Sequence, residues 1–449
     1  MEIHPKAAEK YDQDAEALLL ELTHAPEFTP PPDMFKPEIP LAATFGEDDI
    51  FDAEDTLEDP AHGEIARFFS HGGKQIGFQG EAYKNMVRLC ERVQGMKEVR
   101  EAVSLVAVKV AFLAWVRERY TNTSSDGMTH YVLGKCSEQV QEMEVLIPVA
   151  VTIIQSDLQI GRVTLKTFKQ GTYDSWLKVF EEGWRDADAD KAARARAIVE
   201  EHADLLGKAV ASMKLVAEHR RAFEVALDET QTVLALLRLF TRANLLPNKT
   251  SYCRPLGMEN IEQQRYLIVA DGVLSRSGRG ILQGDGDVFL SLSDQYVALM
   301  RQSGLDAANE LLMWPKKSEF QQALLDTLIL YSRHTLAKNA SDKLLAIFGA
   351  LDSFLLKDDN ESIQQNISER IAFAVGQNGG ERAKIVTLVK RAYGLRSKFV
   401  HHAQNVDDND LIREFLMVVW RFFLWLLFNH PRFLSRKALF DHLDALKFA

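Results

Sequence analysis

A nearly continuous apolar run close to the C-terminus constrains the fold most strongly. It extends from Phe415 to Phe428, reads FLMVVWRFFLWLLF, and contains Arg421 as its single charged residue. The run is shorter than the roughly 18–20 apolar residues that a membrane-spanning helix needs, and a charge in the middle of a span is costly. A helix that is apolar all round must be covered by other elements. We therefore predict a buried helix, within a bundle or at a dimer interface, and no association with a membrane.

Segments of helical pattern separated by short turns precede this run. Ser318 and Gln321 have the spacing of a capping box, which predicts a helix that extends to about Leu336. Further helices are predicted over residues 343–356, 361–375, 382–398 and 411–428. Helices joined by short turns typically form an antiparallel bundle. The sequence thus predicts a mainly α fold whose last segment, 306–449, is an antiparallel helical bundle.

The preceding part of the chain is predicted to be helix-rich with small β-hairpins. Alternating and β-branched residues predict one hairpin between strands at 145–154 and 162–168, and a second pairing between 266–269 and 288–292. Gly278 to Gly284 lack the spacing of a phosphate-binding loop and are predicted to be an ordinary loop. Long helices are predicted over 83–120 and 186–240.

Chain length and composition predict three segments. A chain of 449 residues is too long for one ordinary core. Residues 1–60 hold a short helix followed by prolines and an acidic run from Glu47 to Asp59, which predicts a linker or partner-binding tail. Residues 61–305 are predicted to be a sensing or regulatory region, and 306–449 the bundle. Three cysteines far apart and an N-terminus without an apolar leader predict a cytoplasmic protein.

Charge is distributed unevenly along the chain. The net charge of −11 argues against a general nucleic-acid-binding protein, because such proteins usually carry a basic excess. Between Arg382 and Lys398, however, there are six basic residues and no acidic one. This pattern is typical of a confined basic site on an enzyme that acts on RNA. A solvated helix face with the same charges is the alternative.

The run from Arg396 to His401 contains the residues best suited to chemistry. Arginine is a permanent cation that binds phosphate oxygens, and histidine exchanges protons near neutral pH. Five positions on a helix turn through about 500°, so Arg396 and His401 would lie about 140° apart around the axis. Either the helix ends between them, or the arginine side chain reaches round, or two copies of the motif meet in a dimer. In the alternative interpretation, Arg396 caps a helix end and the histidines occupy a surface turn.

The surrounding residues resemble the ApeA-like branch of the HEPN superfamily, which consists of small helical domains with an R-x4-6-H signature. The resemblance covers about the last third of the chain. It rests on GALDSFLL at 349–356, the helical segment 361–375, the break GQNGG at 376–380 and RAYGLRSKFVH at 391–401. It implies a bundle that acts as a dimer and a metal-independent endoribonuclease, commonly of bacterial toxin or anti-phage systems. It also implies Arg396 and His401 as the catalytic pair.

Four further residues are predicted to support this pair. Lys398 would add a phosphate contact, Ser397 would orient the pair, and His402 is an adjacent spare that also satisfies the R-x4-6-H spacing. Asp352 would steady the arginine or a histidine from a neighbouring helix, although members of this branch often have glutamate there. Gln404 occupies the position of a tyrosine that is modified in toxins silenced by nucleotidyltransferase antitoxins, so that mode of silencing is not expected.

The sequence therefore predicts an endoribonuclease that cleaves RNA by attack of the 2′-hydroxyl, leaving 2′,3′-cyclic phosphate ends. We predict no cofactor and no metal, an RNA substrate, a homodimer through the C-terminal domain and a phage or regulatory trigger at the N-terminal region. The alternative, from a different class, is a non-catalytic HEPN module for dimerisation or for binding nucleotide or RNA.

Overall fold

The fold is described from a computed structural model. It covers residues 3–25, 55–59, 63–123, 125–183, 196, 200, 202–256, 264–270, 273–280, 290–357, 361–404, 406 and 408–447. Contacts between Cα atoms divide the chain into two compact units. Unit 1 comprises Met1–Val145, Trp176–His202 and Lys214–Ala226; unit 2 comprises Leu146–Ser175, Ala203–Met213 and Leu227–Ala449. The predicted mainly α fold is confirmed, and the predicted segment 306–449 lies wholly within unit 2.

Unit 1 combines helices with one antiparallel sheet. The helices are α1 (Pro5–Leu19), α2 (Gly80–Gln94), α3 (Lys97–Ala102), α4 (Leu105–Tyr120) and α5 (Met128–Gln139). The strands are β1 (Thr23–His24), β2 (Asp55–Asp59), β3 (Gly63–His71) and β4 (Lys74–Gln79), in the order β1-β4-β3-β2. Large apolar side chains from α2, α4 and the sheet form the core, among them Phe78, Met86, Phe112 and Trp115.

Strand β2 differs from the prediction of a linker or tail over 25–60. Its backbone pairs with β3, with Thr56 opposite Arg67 and Leu57 opposite Ala66. An unpaired sheet edge presents a row of backbone N–H and C=O groups, and it can pair with a segment whatever the charge of that segment's side chains. Residues 26–54 and 60, which carry most of the predicted tail, lie outside the described residues.

The predicted first hairpin is wrong in its pairing. The strands are β5 (Gln141–Pro148), β6 (Thr152–Ile154), β7 (Leu158–Ile160), β8 (Val163–Thr167) and β9 (Ala209–Ala217). The sheet order is β5-β9-β8-β7, so β8 pairs with β7 and β9 rather than with residues 145–154. Gly161 has a φ of +61°, which permits the tight turn that joins β7 to β8. Strand β9 also lies within the segment predicted to be a helix. Its residues Ala209 to Met213 are all buried, so the strand lacks the alternation of buried and exposed residues that indicates a strand in a sequence.

The second predicted β pairing is also wrong. Strand β10 (Gln264–Ala270) pairs antiparallel with β11 (Val273–Gly280), whereas β12 (Leu290–Leu292) runs parallel to β6. Residues 278–280, predicted to begin a loop, complete β11, and 281–284 lie outside the described residues. Neighbouring strands joined by a short connection pair readily because little loop entropy is lost.

The five helices predicted between Ser318 and Phe428 are found to within a few residues, whereas other helices of this part of the chain had no predicted counterpart. Before the bundle come α6 (Gln170–Gly183), α7 (His219–Arg238) and α8 (Arg242–Leu245). The later helices are α9 (Asp294–Met300), α10 (Asp306–Met313), α11 (Glu319–Ser332), α12 (Ala340–Leu355), α13 (Ile363–Val375), α14 (Gly379–His402), α15 (Asn409–Asn429) and α16 (Arg436–Ala445). The capping box at Ser318 and Gln321 is confirmed, and a 3₁₀ turn continues α11 to Leu336.

Helix α15 is the buried helix predicted from the apolar run. Phe415, Phe422 and Phe423 have no exposed surface. The Phe415 ring stacks on Phe348 of α12 with 5.1 Å between centroids, and Phe423 lies 4.4 Å from Tyr331 of α11. No helix in the described ranges combines the length and apolar character that crossing a membrane requires.

Replacing Phe423 by alanine should lower the free energy of unfolding by about 3–5 kcal/mol, because it leaves a cavity in a closely packed core. Chemical denaturation would measure the loss. Phe428→Ala is a matched control on the same helix; its side chain is 61% exposed, so we expect a change within about 0.5 kcal/mol. Equal losses in the two variants would contradict the burial of α15.

A buried cluster of polar groups holds α8 and the chain after it against α11 and α12. The ammonium of Lys343 donates to the carbonyl oxygens of Ala243 at 3.1 Å and Lys249 at 2.6 Å. His334, in the turn after α11, has its Nε2 3.3 Å from the carbonyl oxygen of Asn244 in α8. Burial lowers the pKa of Lys343 to about 7 and that of His334 to about 3. No sequence motif indicated this cluster.

Lys343 should make stability depend on pH. Between its folded pKa of about 7 and its ordinary value of 10.5, the unfolded chain binds a proton that the folded chain has lost. Raising the pH through this window therefore stabilises the folded state, by at most about 1.4 kcal/mol per pH unit for one proton. Lys343→Met should remove this contribution to the slope, as measured by denaturation at several pH values. The exposed control Lys316→Met should keep the wild-type slope, and an unchanged slope in Lys343→Met would contradict the argument.

Candidate functional site

Helix α14 presents the predicted site along its C-terminal half. The Asn378 side chain caps its start by accepting the N–H of Glu381 at 3.0 Å. The helix continues without a break through Arg396, His401 and His402 and ends at Ala403. Of the three alternatives for this pair, the one in which the helix ends between Arg396 and His401 is therefore excluded. In one chain these two residues leave a continuous helix about 140° apart around its axis.

The Asp352 carboxyl, on α12, lies within electrostatic reach of the Arg396 guanidinium, on α14. Their helices are held in contact by Tyr393, whose ring meets Phe348 edge to face at 5.3 Å. The Arg396 guanidinium lies 5.7 Å from the centre of the Tyr393 ring. Burial raises the pKa of the Asp352 carboxyl above its ordinary value, and the positive charge of Arg396 opposes that rise.

Both groups retain unused hydrogen-bonding capacity. Within the described part of the chain, Arg396 Nε and Asp352 Oδ1 are buried atoms with no hydrogen-bond partner. Buried polar atoms are usually paired, because an unpaired one costs about 1–3 kcal/mol. Such orphaned atoms are often found where a protein binds a ligand or a water molecule. The half-buried guanidinium is thus the part of the site best placed to receive an anion.

The two histidines lie on the exposed surface at the end of α14. His401 and His402 are both exposed, and their ring centroids are 6.4 Å apart. Ser397, one turn before His401, is half-buried, whereas Lys398 is exposed. Among the described residues, no hydrogen bond orients either imidazole. A single chain therefore supplies an accessible proton-exchanging group but does not by itself hold it against Arg396.

The six basic residues of 382–398 divide into two sets. Arg382 stacks on Phe373 at 4.7 Å, Lys390 donates to the Gln365 side chain, and Arg396 acts electrostatically on Asp352. These three are engaged within the bundle. The other three are exposed: Lys384, Arg391 and Lys398.

Sequence reasoning missed a groove between α8, α14 and α15. It has a volume of about 710 Å³. Its walls are mainly aliphatic side chains from Leu245, Leu246, Ile385, Leu388, Met417 and Val418. Three arginines stand around it: Arg242, Arg413 and Arg421. The one signal in the sequence was Arg421, a charge within an otherwise apolar helix, which here pairs with Glu381 at 3.0 Å.

Comparison of the chain with protein-family models, with curated proteins and with solved structures found no match. Within the described ranges, no group of three or more His, Cys, Asp or Glu side chains is arranged to hold a metal ion.

The end of α14 carries backbone strain next to the histidines. Ala403 has a φ of +51°, in the left-handed region, and its N–H donates to the Phe399 carbonyl at 2.9 Å. Ala403→Gly should stabilise the protein by up to about 1 kcal/mol, because glycine adopts this conformation without steric cost. Thermal unfolding would measure the shift. Ala383→Gly, at an exposed position inside the same helix, should instead destabilise by about 0.5–1 kcal/mol. Destabilisation by both changes would contradict the left-handed helix end.

Proposed function

We propose that this protein is a metal-independent endoribonuclease of the HEPN type, with Arg396 and His401 as its catalytic pair. The observation that carries the proposal is the half-buried guanidinium of Arg396, which has an unpaired Nε, acts electrostatically on Asp352 and stands on the same helix as the exposed His401. A cation with an unused donor next to a group that exchanges protons is suited to phosphodiester cleavage.

In this proposal His401 takes the proton of a ribose 2′-hydroxyl or gives one to the leaving 5′-oxygen. The 2′-oxygen attacks phosphorus, the bond to the 5′-oxygen breaks, and the products are a 2′,3′-cyclic phosphate and a 5′-hydroxyl. Arg396 binds the scissile phosphate and offsets the charge that grows on its oxygens. DNA is inert because it lacks the 2′-hydroxyl. Ser397, Lys398 and His402 would support the substrate, and Asp352 would hold Arg396 in place.

A homodimer through the C-terminal bundle completes this mechanism. Arg396 and His401 diverge by about 140° on an unbroken helix, so one copy does not readily direct both at one phosphate. Two copies that meet around this helix would place the histidine of one beside the arginine of the other. We propose further that the enzyme serves a cytoplasmic bacterial defence or toxin system, and that the N-terminal region receives the phage or regulatory trigger.

One observation favours the non-catalytic alternative, a HEPN module for dimerisation or for binding nucleotide or RNA. Arg396 already acts on the half-buried Asp352 carboxyl, which is what a purely structural arginine would do. In that case Arg396 would stabilise the contact between α12 and α14, and His401 would be an ordinary surface residue.

The proposal is tested by incubating wild type and the Arg396→Ala/His401→Ala variant with a labelled RNA pool in excess EDTA. Wild type should cleave and leave cyclic-phosphate ends. The cleavage rate of the variant should be at least about 100-fold lower, which is the contribution typical of a general acid or base. Arg100→Ala/His130→Ala is a matched control, because both of its residues are exposed in unit 1. That control should cleave like wild type.

Two outcomes would overturn the assignment. Cleavage by wild type and site variant at equal rates would remove Arg396 and His401 from the mechanism. Cleavage by neither, together with a large loss of stability on Arg396→Ala alone, would favour the structural alternative.

A further inference from the structure

The exposed face of α14 carries a regular row of positive charge. Lys384, Arg391 and Lys398 are separated by seven residues each. Seven residues turn through about 700°, only 20° short of two full turns, and rise about 10.5 Å. The three cations therefore form one line about 21 Å long. His402 lies eighteen residues after Lys384, five complete turns, and so extends the same line.

These cations are accessible. Among the described residues, neither Lys384 nor Lys398 takes part in an ion pair. Arg391 lies 3.5 Å from Asp408, but its side chain is 63% exposed, and an exposed pair of this kind is worth at most about 1 kcal/mol. The single acid of the helix, Glu381, is held by Arg421 and by the backbone N–H of Gln377. The row thus keeps its positive charge on a protein of net charge −11.

The groove between α8, α14 and α15 opens at the Lys384 end of this row. Lys384 itself lines the groove, together with aliphatic side chains, three arginines and the carboxylates of Glu381 and Glu414. Its volume of about 710 Å³ is within the usual range for small-ligand sites, about 300–1,000 Å³. Unpaired nucleobases are flat and largely apolar on their faces, and they pack on apolar side chains and on guanidinium planes. A base can therefore enter the groove while its phosphate meets Lys384.

We propose that α14 binds single-stranded RNA lengthwise, with phosphates on Lys384, Arg391 and Lys398 and an unpaired base in the groove. The strand would then run toward His401 and His402. A single row of cations matches one phosphate backbone, and a base held by Watson–Crick pairing could not enter the groove. This binding proposal depends on the proposed nuclease function in one respect only: the bound RNA strand leads to a cleavage site.

The test measures the affinity of a 2′-O-methyl RNA of about 12 nucleotides, a length within known single-strand site sizes, over a series of salt concentrations. The 2′-O-methyl groups block cleavage, so binding is measured alone. Replacing the row in Lys384→Gln/Arg391→Gln/Lys398→Gln should reduce the slope of log K against log salt by about 2, or about 0.7 for each lost phosphate contact. Lys6→Gln/Lys10→Gln/Lys97→Gln removes three exposed lysines elsewhere and should leave the slope unchanged.

Failure of this proposal and failure of the nuclease proposal are distinguishable. A smaller salt-dependence slope in the Lys384→Gln/Arg391→Gln/Lys398→Gln variant supports the proposed path of the RNA strand along α14, even if no RNA is cleaved. If the wild type cleaves RNA but the triple variant binds RNA with the same salt-dependence slope, the proposed RNA path is wrong. The nuclease proposal is then unaffected. Binding of an RNA duplex as tightly as the single strand would overturn the single-strand specificity. Binding to vesicles rich in anionic lipid, without binding to RNA, would show that the row faces a membrane surface and overturn the proposal.

Discussion

The packing of the aromatic helix α15 is the interaction on which the arrangement of the C-terminal bundle depends. Phe415 stacks on Phe348 and thereby holds α12, and Phe348 meets Tyr393 and thereby holds α14. This chain of ring contacts brings Asp352, on α12, within electrostatic reach of Arg396, on α14. The polar pair thus owes its position to apolar packing, since neither Arg396 Nε nor Asp352 Oδ1 has a hydrogen bond of its own among the described residues. Burial of several large aromatic rings supplies far more free energy than two unpaired polar atoms cost.

The charges of α14 separate into a structural and an accessible group. Arg382 packs on a ring, Lys390 donates to an amide, and Arg396 acts electrostatically on a carboxyl, each group belonging to a neighbouring helix. Lys384, Arg391 and Lys398 face outward. Positive charge on this face is not cancelled by the acidic excess of the whole chain, because exposed charges more than about 10 Å apart are largely screened at ordinary salt. A protein with a net negative charge can therefore carry a locally basic surface. This surface attracts anionic ligands to one helix, α14.

Much of the helical architecture could be predicted from residue patterns. Helix periodicity, the capping box at Ser318 and the break at 376–380 predicted α11 to α15 to within a few residues, but α10 and α16 were missed. Strand pairing could not be predicted in the same way. Residues 162–168 did form a strand, but its partners were β7 and β9, the second of which comes from a segment about 45 residues later in the chain. Which strands pair depends on long-range packing and on turns such as that at Gly161, whereas a helix satisfies its backbone locally.

The sequence by itself determined that residues 411–428 form a helix that must be buried, that the segment around it is a bundle, and that Arg396, His401 and a cluster of bases lie close together along the chain. Only the tertiary structure decided that α14 continues unbroken through His402, that Asp352 lies within electrostatic reach of Arg396, and that three of the six bases face outward beside an aliphatic groove. The physical reason is the range of the interactions involved. Helix formation and apolar periodicity are properties of neighbouring residues, but the partner of a side chain is set by how whole helices pack against one another.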